Sequence, residues 1–307
     1  MTKLILSTGN VMSAGPSIIR KPGAASRSNL ELVNSLYDNF NEAQRDYAHH
    51  APATNGFING SSAGIDAWTE RNDGTLYIPR INWDAAGLRE EESQYEITVK
   101  LFFLPGRSVA ERKQYAREAL DLVRKELGIQ TIDLLLASFP GVLFEGNCEW
   151  EADKANGQKG NLEEEILTWG VFEELHKQGL VKRLGVAEFG SEKLGAFLKR
   201  ATVPPVIDQI NLRNCCDVPP PLKSLAEGQG IELHVHSDCT DILPRGTLRE
   251  LLGHGPKGAG VLSDPAHHGA GLEGEIHPQW VVRYTAFVKD RGVIENKGYF
   301  AGAELAA

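Results

Sequence analysis

The sequence predicts an α/β fold in which a (β/α)₈ TIM barrel occupies residues 1–307 as one domain. From Glu96 onward, short runs of β-branched residues and leucine alternate with segments whose apolar residues recur at helical spacing. That alternation is typical of a parallel sheet with connecting helices. Eight candidate strands then favour a barrel, which takes about 250 residues before insertions. A doubly wound open sheet is the rival fold. No GxGxxG motif follows the first strand, which disfavours the dinucleotide site of such a sheet.

The eight predicted strands are short, apolar and rich in valine, isoleucine and leucine. In chain order they are residues 4–7, 76–81, 97–102, 132–136, 184–187, 206–210, 231–235 and 293–294. Pro79 weakens the second strand, because proline has no N–H to donate to a ladder.

The predicted helices lie between these strands. They are residues 30–47, 110–127, 162–175, 191–200, 221–228 and 278–291. Gly128 and Gly292 are placed as stops, and Pro278 is placed in a first helical turn, where proline is tolerated. Three stretches rich in glycine and proline predict long loops, at residues 51–64, 141–160 and 253–274.

The composition disfavours several classes of function and cellular location. The formal net charge of −9 disfavours nucleic acid or an anionic membrane as a partner. No run of 18 apolar residues occurs, and the N-terminal MTKLILSTGN lacks the features of a secretory signal. Four cysteines without CxxC spacing predict a reducing, cytoplasmic location. His267-His268 with Asp264 are read as solvated loop side chains, so no metal site is predicted.

Several longer sequence motifs resemble those of a known protein family. WGVFEELHKQGLVKRLGVAEFGSEKLGAFLKRATVPP (residues 169–205), VIDQINL and PLKSLAEGQGIELHVHS resemble the second half of the aldo-keto reductases. STGNV, VKLFF, INLRNCCDVPPPL, IELHVHSD and QWVVRYTAFVKDRGVIENKGY are similar to one non-catalytic branch of that superfamily, the regulatory (modifier) subunits of glutamate–cysteine ligase. The resemblance covers residues 96–300 and implies an aldo-keto reductase-like barrel.

The resemblance also implies where reductase residues should stand, and two are missing. A reductase uses an aspartate, a general-acid tyrosine, a lysine and a histidine, because hydride transfer to a carbonyl needs a positioned proton donor. Lys100 matches the lysine, and Asp84 could match the aspartate. Ser138 stands at the histidine position and cannot replace an imidazole. No tyrosine follows the second strand, since Tyr77 lies within it and Tyr95 begins the next.

The nicotinamide site implied by the family is only partly retained. Ala187-Glu188 replaces the Ser-Asn pair that holds the carboxamide. Possible remnants of the cofactor site are Gln209, His236 at the place of a stacking tyrosine, Ser237 and Lys297. No cofactor is therefore expected beyond weak NADPH binding.

The adjacent pair Cys215-Cys216 has two interpretations. Free cysteine is often simply buried, but the position of the pair before three prolines also fits a redox or partner contact. Adjacent cysteines rarely bond each other without strain, so any disulfide is expected between subunits.

The resemblance implies a heterodimer with the catalytic subunit of glutamate–cysteine ligase, in which this chain raises glutamate affinity and relieves glutathione feedback. The density of motifs suggests residues 215–222 and 279–299 as the contact surface. An NADPH-dependent aldo-keto reductase, or an NADPH-sensing protein, is the alternative function.

Overall fold

The computed structural model describes residues 1–13, 28–50, 64–212, 217–238, 241–264 and 271–306. Within these ranges, ten strands belong to one sheet: β1 (Thr2–Ser7), β2 (Glu70–Asn72), β3 (Thr75–Ile78), β4 (Tyr95–Phe103), β5 (Ile132–Ser138), β6 (Val181–Ala187), β7 (Ile207–Ile210), β8 (Glu232–Val235), β9 (Glu275–Val288) and β10 (Val293–Ala306). The helices are α1 (Ser28–His50), α2 (Ile65–Trp68), α3 (Val109–Leu127), α4 (Glu149–Asn156), α5 (Leu162–Lys177), α6 (Ser191–Leu198), α7 (Pro220–Gln229) and α8 (Thr247–Leu252).

The strand order is β2-β3-β1-β10-β9-β4-β5-β6-β7-β8. β4 to β8 are parallel neighbours in sequence order, joined by α3 and α5–α7 as the alternating pattern predicts. The long β9–β10 hairpin separates them from β1 and β3, pairing antiparallel with β4 on one side and with β1 on the other. These ladders make β1 and β3 run opposite to β4–β8.

The predicted α/β fold with a parallel sheet is confirmed for the middle of the chain. Strands β1 and β4–β8 and helices α1, α3 and α5–α7 all overlap their predicted positions. The eight parallel repeats are not continued at the two ends. The first strands are reversed, the sheet has ten strands, and among the described residues its ladder starts at β2 and ends at β8.

The helix predicted at residues 278–291 is wrong, because this segment forms most of β9. Large buried side chains occur at every second position, as in a strand: Trp280, Val282 and Tyr284 are fully buried on one face. Pro278 had suggested a helix start. It lies at an irregularity in the β9–β10 register, between Gly302 and Ala303, where a missing ladder donor is tolerated.

Three smaller predictions need correction. The strand at 76–81 ends at Ile78, one residue before the proline that cannot continue the ladder. The pair Val293-Ile294 begins a strand of 14 residues. The predicted loop at 141–160 contains α4, whereas residues 51–63 and 265–270 lie outside the described part of the chain.

The sheet is covered by helices on both faces. On β4, Ile97, Val99 and Leu101 belong to a core that also contains the apolar faces of α3 and α5. Phe102 points the other way, into a second core with residues of α1, α8, β1 and β10. Lys100 shares the face of Phe102, because side chains alternate along a strand. The candidate site lies on this face of the sheet, around Lys100.

Candidate functional site

Lys100 is the centre of a buried polar cluster near the carboxyl ends of the parallel strands. Its side chain is 1% exposed, and its ammonium Nζ lies 2.8 Å from Asp238 Oδ2 and 3.1 Å from Gln209 Oε1. The ring of Phe102 lies 5.3 Å from the same nitrogen. The structure thus brings together two predicted site residues, Lys100 and Gln209.

Asp238 is the carboxylate partner of Lys100, and sequence reasoning missed it. It lies in the loop after β8 and also receives the guanidinium of Arg283. Arg283 stands directly opposite Lys100 in the β4–β9 ladder. Burial alone would raise the pKa of Asp238, but the positive charges of Lys100 and Arg283 outweigh burial and hold that pKa well below its usual range. Asp238 is therefore a permanent anion between two cations.

The environment of Lys100 lowers the pKa of its side chain below that of a lysine in water. Removal from water lowers the pKa of Lys100, and the nearby Arg283 charge lowers it further, although Asp238 opposes both effects. In a reductase the equivalent lysine has to act on a tyrosine hydroxyl. Here the ammonium donates two hydrogen bonds, one to the Asp238 carboxylate and one to the Gln209 amide oxygen, and the carboxylate compensates its charge.

Glu188 and His236 form the second part of the cluster, beyond β6 and β8. Glu188 Oε1 lies 2.5 Å from His236 Nε2, and Glu188 Oε2 accepts the backbone N–H of Phe144 at 2.9 Å. The backbone N–H of Asp238 donates to His236 Nδ1 at 3.1 Å. Because Nδ1 accepts this hydrogen bond, Nε2 is the ring nitrogen that faces Glu188.

The backbone of Glu188 lies in the left-handed region, at φ +65°. This conformation costs an L-residue other than glycine about 1–2 kcal/mol. Two backbone hydrogen bonds hold it: Glu188 N–H donates to the Gln209 carbonyl at 2.7 Å, and Asn156 Nδ2 donates to the Glu188 carbonyl at 2.7 Å. The turn after β6 therefore aims the carboxylate of Glu188 into the cluster.

Asp208 is a further buried acid, on β7 next to Gln209. It is 0% exposed, and its Oδ1 accepts only a long hydrogen bond, 3.4 Å, from Phe189 N–H. Burial, reinforced by repulsion from Glu188, raises the pKa of Asp208 well above its usual range, and the attraction of Lys100 offsets this only in part.

The other predicted site residues lie apart from this cluster. Ser138 ends β5, half-buried and paired in register with Phe102. Ser237 is exposed. Lys297 is on β10 and pairs with Glu31 of α1 instead of any cluster member. Asp84, which could match the family aspartate, lies in an exposed single turn at Trp83–Ala85, whereas the carboxylate beside Lys100 is that of Asp238.

No tyrosine completes a reductase site among the described residues: the hydrogen bonds of the Lys100 ammonium go to Asp238 and Gln209 alone. Tyr77 points to the opposite face, where its ring packs edge-on against Trp83. Tyr299 is on the face of Lys100, and its hydroxyl donates to Glu31 at 2.7 Å. Cys215, Cys216 and Cys239 are outside the described residues, and Cys148 is exposed with a free thiol.

The sequence model of the Aldo/keto reductase family matches residues 82–241, more than half of the chain. The chain therefore belongs to the aldo/keto reductase family. Within the described residues, no helix has the length and apolar character needed to cross a membrane.

Curated relatives define the particular branch to which the chain is similar. It is 29% identical to the putative glutamate–cysteine ligase regulatory subunit of Schizosaccharomyces pombe, over 71% of this chain and 75% of that protein. It is 26% identical to the glutamate–cysteine ligase regulatory subunit of Homo sapiens, over 70% of this chain and 68% of that protein. A shorter segment, 39% of this chain, is 38% identical to deoxymugineic acid synthase 1-B of Triticum aestivum. The resemblance seen in the motifs is thereby confirmed.

Proposed function

We propose that this chain is a non-catalytic regulatory subunit that binds the catalytic subunit of a glutamate–cysteine ligase. The observation that carries the proposal is similarity, over about 70% of the chain, to proteins named as regulatory subunits of that enzyme. In this role the chain raises the affinity of the catalytic subunit for glutamate and relieves inhibition by glutathione. Both effects are inferred from the resemblance to regulatory subunits of glutamate–cysteine ligase.

The polar cluster supports the non-catalytic part of the proposal. Lys100 is compensated by Asp238, and Ser138 offers no imidazole. Loss of a positioned general acid costs roughly 10²- to 10⁴-fold in rate. A site without both the tyrosine and the histidine lacks the two groups that a reductase uses to orient a carbonyl oxygen and protonate it while hydride arrives.

The residues present do not fit a nicotinamide carboxamide. That group needs both donors and acceptors, and the side chain at Glu188 offers only acceptors. Its carboxylate is engaged with His236 and the backbone N–H of Phe144. We infer that these side chains fill the place of the cofactor, and that Gln209 is kept because it holds Lys100.

Regulation by this chain requires only that it binds one state of the catalytic subunit better than another. A preference of about 1–3 kcal/mol changes an apparent affinity roughly 5- to 150-fold. A stable contact of this kind buries more than about 1,000 Å².

The contact surface suggested by motif density needs revision. Gln279 and Tyr299 are 6% and 0% exposed, because most of 279–299 forms strands in the interior of the sheet. Those motifs lie mostly in the core, and the hairpin turn at residues 289–294 is their exposed part. Of the other segment, residues 217–222 lead into α7, while 215–216 are outside the described residues.

We assign the contact to the outer edge of β8, which pairs with no other strand of the described residues and offers backbone groups to an extended segment of the catalytic subunit. Glu232 N–H and His236 N–H donate toward β7, to the carbonyls of Val206 and Ile210. By alternation, the backbone groups of Leu233 and Val235 point away from β7. Val235 is 62% exposed, an apolar side chain beside this outer edge. Such edges accept added strands from partner chains.

The test is to purify the catalytic subunit with and without this chain. Co-elution and a lower apparent KM for glutamate are expected. Separate elution with identical kinetics would contradict the proposal. Lys100→Met is the internal control, because a regulatory role does not use the reductase lysine as an electrostatic catalyst. The kinetic effect should persist in any Lys100→Met preparation that remains folded.

The alternative, an NADPH-dependent reductase or an NADPH sensor, rests on Lys100 and Gln209 lying in contact. Fluorescence titration with NADPH, followed by an aldehyde screen, separates the two functions. Turnover that disappears in Lys100→Met would establish the reductase. Saturable NADPH binding without turnover would establish the sensor. Restoring donors with Glu188→Asn and His236→Tyr should increase NADPH binding if these two side chains exclude it.

A further inference from the structure

A polar cleft lies at the end of the sheet away from Lys100, where β4 begins. It consists of two adjoining cavities of about 220 and 190 Å³, which share Ala85, Ala86 and Glu126 in their walls. The first is also lined by Arg89, Asn296 and Glu295. The family site at the carboxyl ends of β4–β8 has no residue in common with this cleft.

Glu126 is a mostly buried carboxyl group without a counter-ion. Among the described residues, no lysine, arginine or histidine nitrogen lies within 4.0 Å of its carboxylate. Burial raises the pKa of Glu126, and the hydroxyl of Tyr284 offsets this only partly. A buried carboxylate that faces a cavity and has no paired cation is a strong acceptor for an ammonium group.

A second polar atom at the cleft lacks a partner. The amide oxygen Asn296 Oδ1 is buried and accepts no hydrogen bond within the described part of the protein. Buried polar groups are normally hydrogen-bonded, so unpaired ones beside a cavity call for a bound group. Glu295 differs from Glu126, since the Tyr95 hydroxyl donates to it and Arg291 lies 3.5 Å away.

Arg89 contributes the opposite charge at the same cavity. Its side chain is exposed, and no carboxylate of the described residues pairs with it. Arg89 and Glu126 therefore line one cavity as an unpaired cation and an unpaired anion that do not reach each other. A ligand carrying both charges would bridge them.

We propose that this cleft binds a small zwitterionic amino acid. Its ammonium group donates to Glu126 and Asn296 Oδ1, and its carboxylate accepts from the guanidinium of Arg89. A cavity of about 220 Å³ holds roughly seven waters at about 30 Å³ each. This is the size of an amino acid with a short side chain and is smaller than the cavities of drug-sized ligands.

The experiment is a thermal-shift and calorimetric titration of the full chain with L-alanine and L-glutamine. Propylamine and propionate serve as probes that keep only one of the two charges. Either amino acid should raise the melting temperature, and the singly charged probes should bind at least about tenfold more weakly. Binding should also release protons in proportion to the fraction of Glu126 that was protonated, which calorimetry in buffers of different ionisation enthalpy detects.

Glu126→Gln and Arg89→Gln should each weaken amino-acid binding by about tenfold or more. Asp121→Asn, an exposed position on the same helix as Glu126, is the matched control and should bind like the unmodified chain. The folding of each variant is checked by circular dichroism, and Glu126→Gln is expected to fold because it removes an uncompensated buried charge. Absence of any shift with both amino acids, or binding unchanged in Glu126→Gln, would overturn the site. Equal binding of propylamine and L-alanine would overturn the zwitterion assignment.

Discussion

Lys100 shows how a single retained residue changes role when its neighbours change. In the family it serves a tyrosine. Here it is one of two cations around Asp238, with Arg283 as the other. Neither partner follows from the reductase pattern, since Asp238 lies after β8 and Arg283 belongs to an antiparallel strand. The lysine is retained as part of a buried electrostatic triad.

Asp238→Asn should strongly destabilise the protein, because it leaves Lys100 and Arg283 buried without an anion. Removing one partner from a buried ion pair costs about 3–5 kcal/mol. The measurement is urea unfolding at pH 7, with exposed Asp121→Asn as the control. A loss below about 1 kcal/mol would contradict the triad.

The pH dependence of that loss follows from the lowered pKa of Asp238. A lowered folded pKa contributes stability that is complete above the unfolded value of about 3.9 and disappears as pH falls through the folded value. The difference between the unmodified chain and Asp238→Asn should therefore shrink only below about pH 4.

Asp208→Asn should have the opposite pH dependence. The pKa of Asp208 is raised in the folded protein. The stability linked to its protonated form is therefore present below about pH 3.9 and is lost as pH rises through the folded pKa. Asparagine removes this loss, so the variant should gain stability relative to the unmodified chain as pH rises above about 4. Parallel curves of unfolding free energy against pH would contradict the prediction, and Asp290→Asn in the exposed hairpin turn is the control.

At the scale of elements, the β9–β10 hairpin decides the architecture. Each strand has 14 residues, and the hairpin joins the parallel strands to β1. Two glycines on β10 allow large side chains of β9 to lie flat on the sheet. A Cβ at Gly302 would lie 2.3 Å from Trp280, and one at Gly298 would lie 2.2 Å from the Tyr284 hydroxyl.

Gly298→Ala should destabilise the hairpin, because its Cβ would also meet the backbone carbonyl of Gly9 at 2.5 Å, which cannot move aside as a side chain can. We expect a loss of about 1–3 kcal/mol from overpacking. Gly228→Ala in α7 is the matched control: no atom lies within 4 Å of its added Cβ. That change should stabilise by up to about 1 kcal/mol. Chemical unfolding of both variants measures the contrast, and equal effects would contradict it.

At the scale of the whole molecule, the sheet has two ends with different chemistry. The carboxyl ends of β4–β8 hold the compensated lysine cluster, and the opposite end holds the polar cleft at Glu126. The described ladder also leaves β8 paired on one side only. The buried lysine cluster, the cleft proposed to bind an amino acid and the edge proposed to bind the partner thus lie in different regions of the sheet.

Val235→Lys should weaken co-elution with the catalytic subunit, because a charged side chain on an edge strand opposes strand addition. Stability of the isolated chain should change by less than about 0.5 kcal/mol, since Val235 is 62% exposed. Val293→Lys is the control, an exposed valine at the hairpin turn, 48% exposed and distant from β8 in strand order. Loss of co-elution in both variants, or in neither, would argue against the β8 edge.

Local pattern was a good guide where each element has one clear period. The α3 helix begins at a capping box of Ser108 and Glu111 and ends at Gly128, in the left-handed conformation at φ 64°. The apolar spacing predicts the helix at residues 110–127 with Gly128 as its stop, within one residue of the helix observed. Pattern failed at residues 278–291, where a proline and a terminal glycine resemble helix signals. Only the pairing of β9 with β4 and β10 shows that the period is two.

The sequence by itself determined the α/β class, the parallel strands and the family, and it predicts that the reductase tyrosine and histidine are missing. These depend on residues near one another in the chain, or on motifs in continuous segments. Only the tertiary structure decided that Asp238 and Arg283 compensate Lys100, that β1 runs against β4, and that Glu126 and Arg89 share a cavity. Each of these joins residues more than 30 positions apart, and ladder pairing fixes such contacts where local spacing carries no signal.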